Sequence, residues 1–209
     1  MNYTELKANI QDICEQTFTA DQLAMFTKQA EQLILTTVDL HVMRKNQTGT
    51  TTLNNKYLTM PSNMLYVYSL AVIDASNEYH YLINKDVSFI REAYPIAATA
   101  ALPVHYAIFG DGTFILGPTP NAIYASEIHF ATYPASIVTA GTSYLGTEFD
   151  SALLNGALVQ AIRFQKGEGD MVTMYQKMYI DAIALLKNMG AGHLETDTYR
   201  SGVVRIPPQ

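Results

Sequence analysis

Two segments near the N-terminus have apolar residues at helical spacing. Leu6 and Ile10 recur four residues apart, which predicts a first helix. The segment Thr19–Gln22 has the spacing of a capping box, which predicts a second helix that runs to about Leu40. Residues 1–43 are therefore predicted to form a helix pair. The second helix should bury one apolar stripe: Leu23, Phe26, Ala30, Leu33, Ile34 and Thr37.

The helical period stops after this pair. Residues 44–56 are rich in Thr, Asn and Gly and show no apolar period, which predicts a polar loop. Apolar and polar residues then alternate, which predicts a β-rich region over residues 57–147 that begins as a meander. Asp111-Gly112 lies between two alternating runs and predicts a tight hairpin. Asp86 is placed to cap a short helix that ends at Pro95.

The last third of the chain returns to helical spacing. Residues 148–190 are predicted to form a helical hairpin, with Gly167 as the cap that ends its first helix and Asp170 as the cap that begins its second. Residues 191–209 have few apolar anchors and predict an extended tail arm. Four methionines of the second helix are expected in the core: Met171, Met174, Met178 and Met189.

These elements together predict an α+β protein. The N- and C-terminal helix pairs are expected to meet as a four-helix bundle. The central antiparallel β region should project from one end as an insertion, and the extended C-terminal tail should follow the bundle.

Charge is sparse and unevenly distributed. Charged residues make up 15% of the chain, against roughly 25% for an average soluble domain. Between Tyr57 and Thr147 only eight of 91 residues are charged, and this segment contains ten of the fourteen tyrosines. Tyrosine joins an apolar ring to a polar hydroxyl and is enriched at protein interfaces. The segment is therefore either a subunit contact surface or a set of strands with the ordinary tyrosine preference.

Composition excludes several classes of protein. A net charge of −6, without basic residues clustered near aromatics, argues against a protein that grips nucleic acid. The single cysteine, Cys14, excludes an intrachain disulfide. No apolar run approaches the roughly 20 residues of a membrane span, and the N-terminus lacks a signal-peptide pattern. We therefore expect synthesis in a cytoplasm and no membrane partner.

Motifs that carry chemistry are missing from the sequence. Gly110-Asp-Gly112 lacks the third glycine of a dinucleotide site. Cys14 falls on the apolar stripe of the first helix, so we expect a buried, unreactive thiol. The five histidines lack metal-ligand spacing: His41, His80, His105, His129 and His193. We expect no enzymatic activity, no cofactor and no catalytic, cofactor-binding or metal residue.

The central region resembles a known family. Leu102–Pro120, followed by Ile123-Tyr124 and the strand that ends Ala131–Pro134, is similar to the central β region of head-to-tail connector adaptor proteins of short-tailed (podovirus-like) bacteriophages. In that family a P-x-x-Y-A-I strand, a glycine-containing turn and a proline-rich run precede two C-terminal helices. Leu153–Leu158 resembles the opening of the first of these helices. The likeness covers about residues 60–188, and it assigns no role to the threonine-rich stretch at 48–52.

The resemblance implies a structural virion protein. It implies a ring of twelve subunits that docks beneath the portal and carries tail, nozzle or fiber proteins, with DNA passing through the lumen without sequence-specific binding. Twelve copies at −6 would give a formal charge of −72, which repels phosphate. The expected location is the tail or neck of the virion after assembly in the host cytoplasm, with a part in genome ejection. A gatekeeper or tail-tube subunit lower in the tail is the alternative, and a small-molecule enzyme is a more distant one.

Overall fold

The computed structural model describes residues 1–167 and 169–195, with side chains described as far as residue 188. This part of the chain divides into two compact units. The first unit, which we call the helical unit, consists of Met1–Val42 and the residues from Pro134 onward. Met43–Tyr133 forms the other, which we call the β unit.

The helical unit contains six of the α-helices that the structure describes. Their bounds are α1 Tyr3–Cys14, α2 Ala20–Thr37, α4 Ile137–Ala140, α5 Tyr144–Glu148, α6 Asp150–Phe164 and α7 Gly169–Glu195. The packing centres on α6, which contacts α1, α2, α5 and α7. Eight of its fifteen residues are buried, which a helix contacted on several sides requires.

Local hydrogen bonds explain where the first two helices begin. The predicted capping box is confirmed: Gln22 N–H donates to Thr19 Oγ1 at 3.3 Å, and Thr19 N–H donates to Gln22 Oε1 at 2.9 Å. Asn2 and Glu5 form a second capping box at the start of α1, with both bonds at 2.9 Å. Each box satisfies two backbone N–H groups that have no partner within the helix.

The buried stripe of α2 differs in part from the predicted one. Leu33 is 45% exposed and Thr37 is also exposed, whereas Thr27, Glu31 and Leu35 are buried. The cause is a polar contact that an apolar period cannot reveal. The Glu31 carboxylate accepts hydrogen bonds at the start of α4, which turns this side of α2 inward.

The β unit contains ten strands and one α-helix. Their bounds are β1 Arg44–Thr50, β2 Tyr57–Thr59, β3 Met64–Ile73, β4 Tyr79–Tyr81, β5 Ile83–Asn84, α3 Val87–Ala93, β6 Ala100–Ala101, β7 His105–Gly110, β8 Thr113–Gly117, β9 Thr119–Pro120 and β10 Ala125–Thr132. The first sheet has the order β1-β10-β3-β4 and the second has the order β2-β8-β7-β5. Strands β6 and β9 form a separate pair.

The core of the β unit lies between the two sheets. Leu70 and Val72 of β3 pack with Phe130 of β10 on one side and with Phe114 and Leu116 of β8 on the other. Helix α3 covers the outer face of the second sheet, where Ile90 packs against Ala107 and Ile115. The predicted helix that ends at Pro95 and the predicted Asp111-Gly112 hairpin are both confirmed. Gly112 takes the positive φ, 80°, that this turn requires.

The prediction of a polar loop over residues 44–56 is wrong in its first half. Arg44–Thr50 forms β1, an edge strand antiparallel to β10. Every side chain from residue 45 to residue 50 is exposed, so no apolar period marks the strand. Its backbone pairing with β10 defines it instead.

Strand pairing also differs from the predicted antiparallel meander. Strand β2 pairs with β8 rather than with β3, and the pairs β5–β7 and β6–β9 are parallel. The reason is that the chain passes from the first sheet to the second between two successive residues. Leu82 N–H donates to Leu70 in the first sheet, whereas Ile83 N–H donates to Val104 beside the second. The chain then passes through α3 before β7, and a crossover of this kind permits parallel pairing.

The C-terminal boundaries are corrected as well. Helix α7 continues to Glu195, so the predicted extended arm over 191–209 is wrong for its first five residues, and the remainder lies outside the described residues. Helix α7 begins at Gly169, one residue before the predicted cap Asp170. The left-handed residue between α6 and α7 is Lys166, with φ 56°, and not Gly167.

The methionine stripe of α7 is exposed and does not form core. Met171, Met174 and Met178 are exposed, whereas Ile183 and Leu186 of the same helix are buried. The apolar residues of α7 occur on more than one of its faces, so the period alone predicted the wrong face as buried. The side chain of Met189 lies outside the described residues. The structure confirms the α+β class, and the four-helix bundle stays a prediction.

Candidate functional site

The outer face of the first sheet carries a cluster of exposed tyrosines. The strand register and side-chain contacts place residues of all four strands on this side. We call the following set the tyrosine face: Asn46, Tyr66, Tyr68, Tyr79, Tyr81, Glu127 and His129. The core lies on the opposite side of the same sheet, because strand residues alternate between faces.

Two donors hold Glu127 on the tyrosine face. Asn46 Nδ2 donates to one carboxylate oxygen at 2.8 Å, and the Tyr79 hydroxyl donates to the other at 3.2 Å. This hydrogen bond and the negative charge of Glu127 raise the pKa of Tyr79, because a tyrosinate would lie beside a carboxylate. The Tyr79 ring also stacks on Tyr81, with centroids 6.3 Å apart.

Aromatic contacts connect the other half of the face. The rings of Tyr66 and Tyr68 are 5.2 Å apart, and their hydroxyls are 3.2 Å apart. Tyr68 also packs against the His129 ring at 4.9 Å, and the Arg44 guanidinium lies 5.0 Å from the centre of the Tyr68 ring. These contacts restrict the rings. The face thus presents ordered aromatic surface with hydroxyl groups, a composition enriched at the energetic centres of protein interfaces.

The turn between β3 and β4 brings three ionisable side chains together. Suitable atoms of Asp74, Glu78 and His80 lie within 4.8 Å of one another. One Asp74 oxygen accepts from the backbone N–H groups of Ser76 and Glu78, and the other lies 3.1 Å from His80 Nε2. These hydrogen bonds lower the pKa of Asp74. The cluster is accounted for by its role in closing the turn.

Two further histidines contact aromatic rings. His41 packs edge-on against Tyr144 at 5.1 Å, and His105 packs against Phe89 at 5.3 Å. His105 also lies 2.8 Å from the Tyr94 hydroxyl through its Nδ1 atom. His193 lies outside the described side chains.

Cys14 is half-buried at the end of α1 rather than fully buried as predicted. Partial burial raises the pKa of its thiol, so little thiolate forms at neutral pH. Since the thiolate is the nucleophile, this agrees with an unreactive cysteine.

The helical unit has a groove between α2, α6 and α7, with a volume of about 140 Å³. We call it the α2–α6–α7 groove, and its lining is Leu33, Gly156, Val159, Gln160, Arg163, Gln176 and Tyr179. A Cβ on Gly156 would lie 3.1 Å from Ala30 Cβ and 3.1 Å from Tyr179 Cε2, so glycine permits the close approach of the helices here. At the rim, Arg163 donates to Gln176 Oε1 at 3.2 Å.

The described residues form a mixed α+β protein with exposed aromatic side chains on one sheet and an apolar stripe on α7. A family comparison specifies the class: the model of the SU10 adaptor protein family matches residues 1–206, and the chain belongs to this family. The family is one of phage structural adaptors and is not an enzyme family. The resemblance to phage head-to-tail adaptors is thereby confirmed, and the restriction to short-tailed phages stays a prediction.

A search of curated proteins found no match to this chain. Within residues 1–167 and 169–195, no helix has both the length and the apolar character needed to cross a bilayer.

Proposed function

We propose that this protein is a head-to-tail adaptor that forms an oligomeric ring between portal and tail, around the channel for DNA. The observation that carries the proposal is the family match over residues 1–206. Because the match covers nearly the whole chain, both the helical unit and the β unit belong to the matched architecture.

The proposed ring has twelve subunits and lies in the neck of the virion. It contacts the portal on one side and tail, nozzle or fiber proteins on the other. Each subunit contributes a formal charge of −6, so an acidic lumen would repel DNA phosphates and let DNA slide without specific binding during genome ejection.

The tyrosine face supports a contact role for the β unit. Its rings are exposed in the single chain, yet they are ordered by the contacts of Glu127 and His129. An ordered aromatic surface loses little conformational entropy on binding. Together with the low charge of residues 57–147, this favours the tyrosine face as a docking surface for a portal or tail protein.

Cryo-electron microscopy of the chain assembled with its portal tests the proposal. A twelve-fold ring seated directly on the portal supports it. A ring that lies lower in the tail, without portal contact, supports the alternative of a gatekeeper or tail-tube subunit. A chain that remains monomeric with portal present contradicts both.

A substitution tests the tyrosine face separately. Tyr81→Ala should weaken binding of the docked protein by about tenfold, which corresponds to about 1.4 kcal/mol. Tyr57→Ala is the matched control, because Tyr57 is an exposed tyrosine on β2 of the second sheet. Equal affinities for the two variants would count against the tyrosine face.

We also propose that the residues after 195 act as an assembly arm. Deletion of residues 196–209 should leave the unfolding free energy of the described units unchanged and weaken docking to the portal. Normal docking by the truncated chain would contradict this role.

A further inference from the structure

Helix α7 carries an apolar stripe that the helical unit leaves exposed. Met171, Met174, Met178 and Leu185 are 41%, 45%, 46% and 68% exposed. They recur three, four and seven residues apart, which is the spacing that packs one helix against another. The stripe extends over fifteen residues of helix, and its first and last Cα atoms are about 21 Å apart along the helix axis. We call these four residues the α7 stripe.

The α2–α6–α7 groove lies on the face of α7 that packs against α6, and the stripe faces away from it. With 3.6 residues per turn, Gln176 and Tyr179 of the groove are roughly 170° and 110° around α7 from the middle of the stripe. The buried side chains of Ile183 and Leu186 point in the same general direction as these two groove residues. The helical unit therefore presents an apolar ridge and a depression in different directions around α7.

The depression can admit one side chain of the ridge, and the two surfaces carry opposite charges. The groove volume of about 140 Å³ is close to the roughly 150 Å³ of an engineered cavity that admits benzene, so it has room for one methionine or leucine side chain. Asp181 is exposed next to the stripe between Met178 and Leu185. Arg163 is exposed at the rim of the groove. These two residues have opposite charges.

We propose that the α7 stripe of one subunit packs into the α2–α6–α7 groove of a second copy of this chain. The two surfaces differ and face different directions, so each copy can give its stripe to one neighbour and its groove to the other. Such a heterologous contact is the kind that closes into a ring, whereas a self-complementary contact stops at a dimer. The inference rests on the ring proposed above and names the surfaces through which neighbours meet.

Substitution within the stripe provides the first test. Full-length Met178→Asp should reduce ring formation on the portal at least tenfold, measured by native mass spectrometry and negative-stain microscopy. Ala184→Asp is the matched control, because it adds the same charge at an exposed position of α7 outside the stripe. It should form rings as the wild type does. Normal rings from Met178→Asp would overturn the inference and leave the proposed function intact.

A charge exchange provides a test that does not depend on folding. Arg163→Asp and Asp181→Arg should each weaken ring formation, and the double variant should restore it. Both side chains are exposed, so each variant should retain the wild-type circular dichroism spectrum. Arg163→Asp also loses the hydrogen bond to Gln176 and places a negative charge in the last turn of α6, so its unfolding midpoint should fall slightly. Additive losses in the double variant would overturn the pairing of stripe and groove.

Cross-linking identifies what covers the stripe. Met178→Cys in a Cys14→Ser chain is labelled with benzophenone maleimide, mixed with ¹⁵N-labelled copies on the portal and irradiated. Cross-links to peptides that contain Leu33 or Arg163 of another copy support the inference. Cross-links to portal peptides or to residues 196–209 overturn it while rings are still observed. If the wild type forms no ring on the portal, the proposed function and the inference both fail.

Discussion

Replacement of Glu31 by alanine should destabilise the helical unit by about 3 to 4 kcal/mol. The Glu31 side chain lies on α2 and is only 6% exposed. Its carboxylate accepts from the Ile137 backbone N–H at 2.8 Å and from the Ser136 hydroxyl at 2.5 Å. These bonds join residues more than 100 positions apart and fix the start of α4 against α2.

The magnitude follows from these two bonds. Hydrogen bonds to a charged group contribute about 1.5 to 3 kcal/mol each. Their loss leaves the Ile137 N–H buried without this partner, whereas removal of a desolvated carboxylate offsets part of the cost. Glu31→Gln keeps a carbonyl oxygen that can accept from Ile137, so it should cost only about 1 to 2 kcal/mol.

Urea unfolding followed by circular dichroism at 222 nm measures this effect. For a chain of this size, 3 kcal/mol corresponds to a fall in Tm of roughly 6 to 12 °C. A double-mutant cycle with Ser136→Ala isolates the hydroxyl bond. Gln32→Ala, at the next and exposed position of α2, should stay within about 0.5 kcal/mol of the wild type. A Glu31→Ala value in that same range would refute the reasoning.

Three further predictions concern the β unit. Gly117→Ala should lower the unfolding free energy by about 1 to 3 kcal/mol in urea, because its Cβ would lie 2.5 Å from the ring of Tyr94, the residue that follows α3. Gly110→Ala, with open space around its Cβ, should match the wild type. Folding lowers the pKa of the Asp74 carboxyl below 3.8. The stability that Asp74 contributes is therefore complete above pH 3.8 and is lost as the pH falls through the folded-state pKa. Asp74→Asn should flatten this part of the acid-unfolding curve, and an unaltered curve would contradict the argument. Glu127→Gln should lower the pKa of Tyr79 toward 10.0 in an NMR titration of its ring, and an unshifted titration would show that the carboxylate is not the cause.

Features that depend on neighbouring residues were predictable from the sequence. The Thr19 capping box and the Asp111-Gly112 hairpin are both present, because side-chain spacing and backbone preference decide them locally. The short helix after Asp86 is also present, but the predicted cap is wrong, because the Asp86 side chain makes no capping hydrogen bond. Segments whose hydrogen bonds are formed between nearby residues can therefore be predicted from the sequence.

Features that depend on distant residues were not predictable. Strand β1 buries none of the side chains from residue 45 to residue 50, so only its pairing with β10 reveals it. The inward turn of Glu31 requires Ser136 and Ile137, which are far away in sequence. A period of apolar residues reports burial, and these contacts are made by backbone and polar groups instead.

The tyrosine face was predictable in composition and not in geometry. Ten tyrosines and few charges between Tyr57 and Thr147 indicated either a contact region or strands with the ordinary tyrosine preference. Sheet pairing was needed to bring Asn46 and Tyr79 to the same carboxylate of Glu127. On α7, two apolar faces compete, and contact with α6 decides which one is buried.

The register of β1 and β10 has a consequence for how this protein can change. Arg44, where the chain enters the β unit, pairs directly with Ala131, where the chain is about to leave it. Paired residues of antiparallel strands lie only about 5 Å apart. A loop inside the β unit can therefore lengthen or shorten without altering the spacing of the two attachment points. The loops of the β unit can therefore vary while the helical unit keeps its own chain connections, which makes the two units modular.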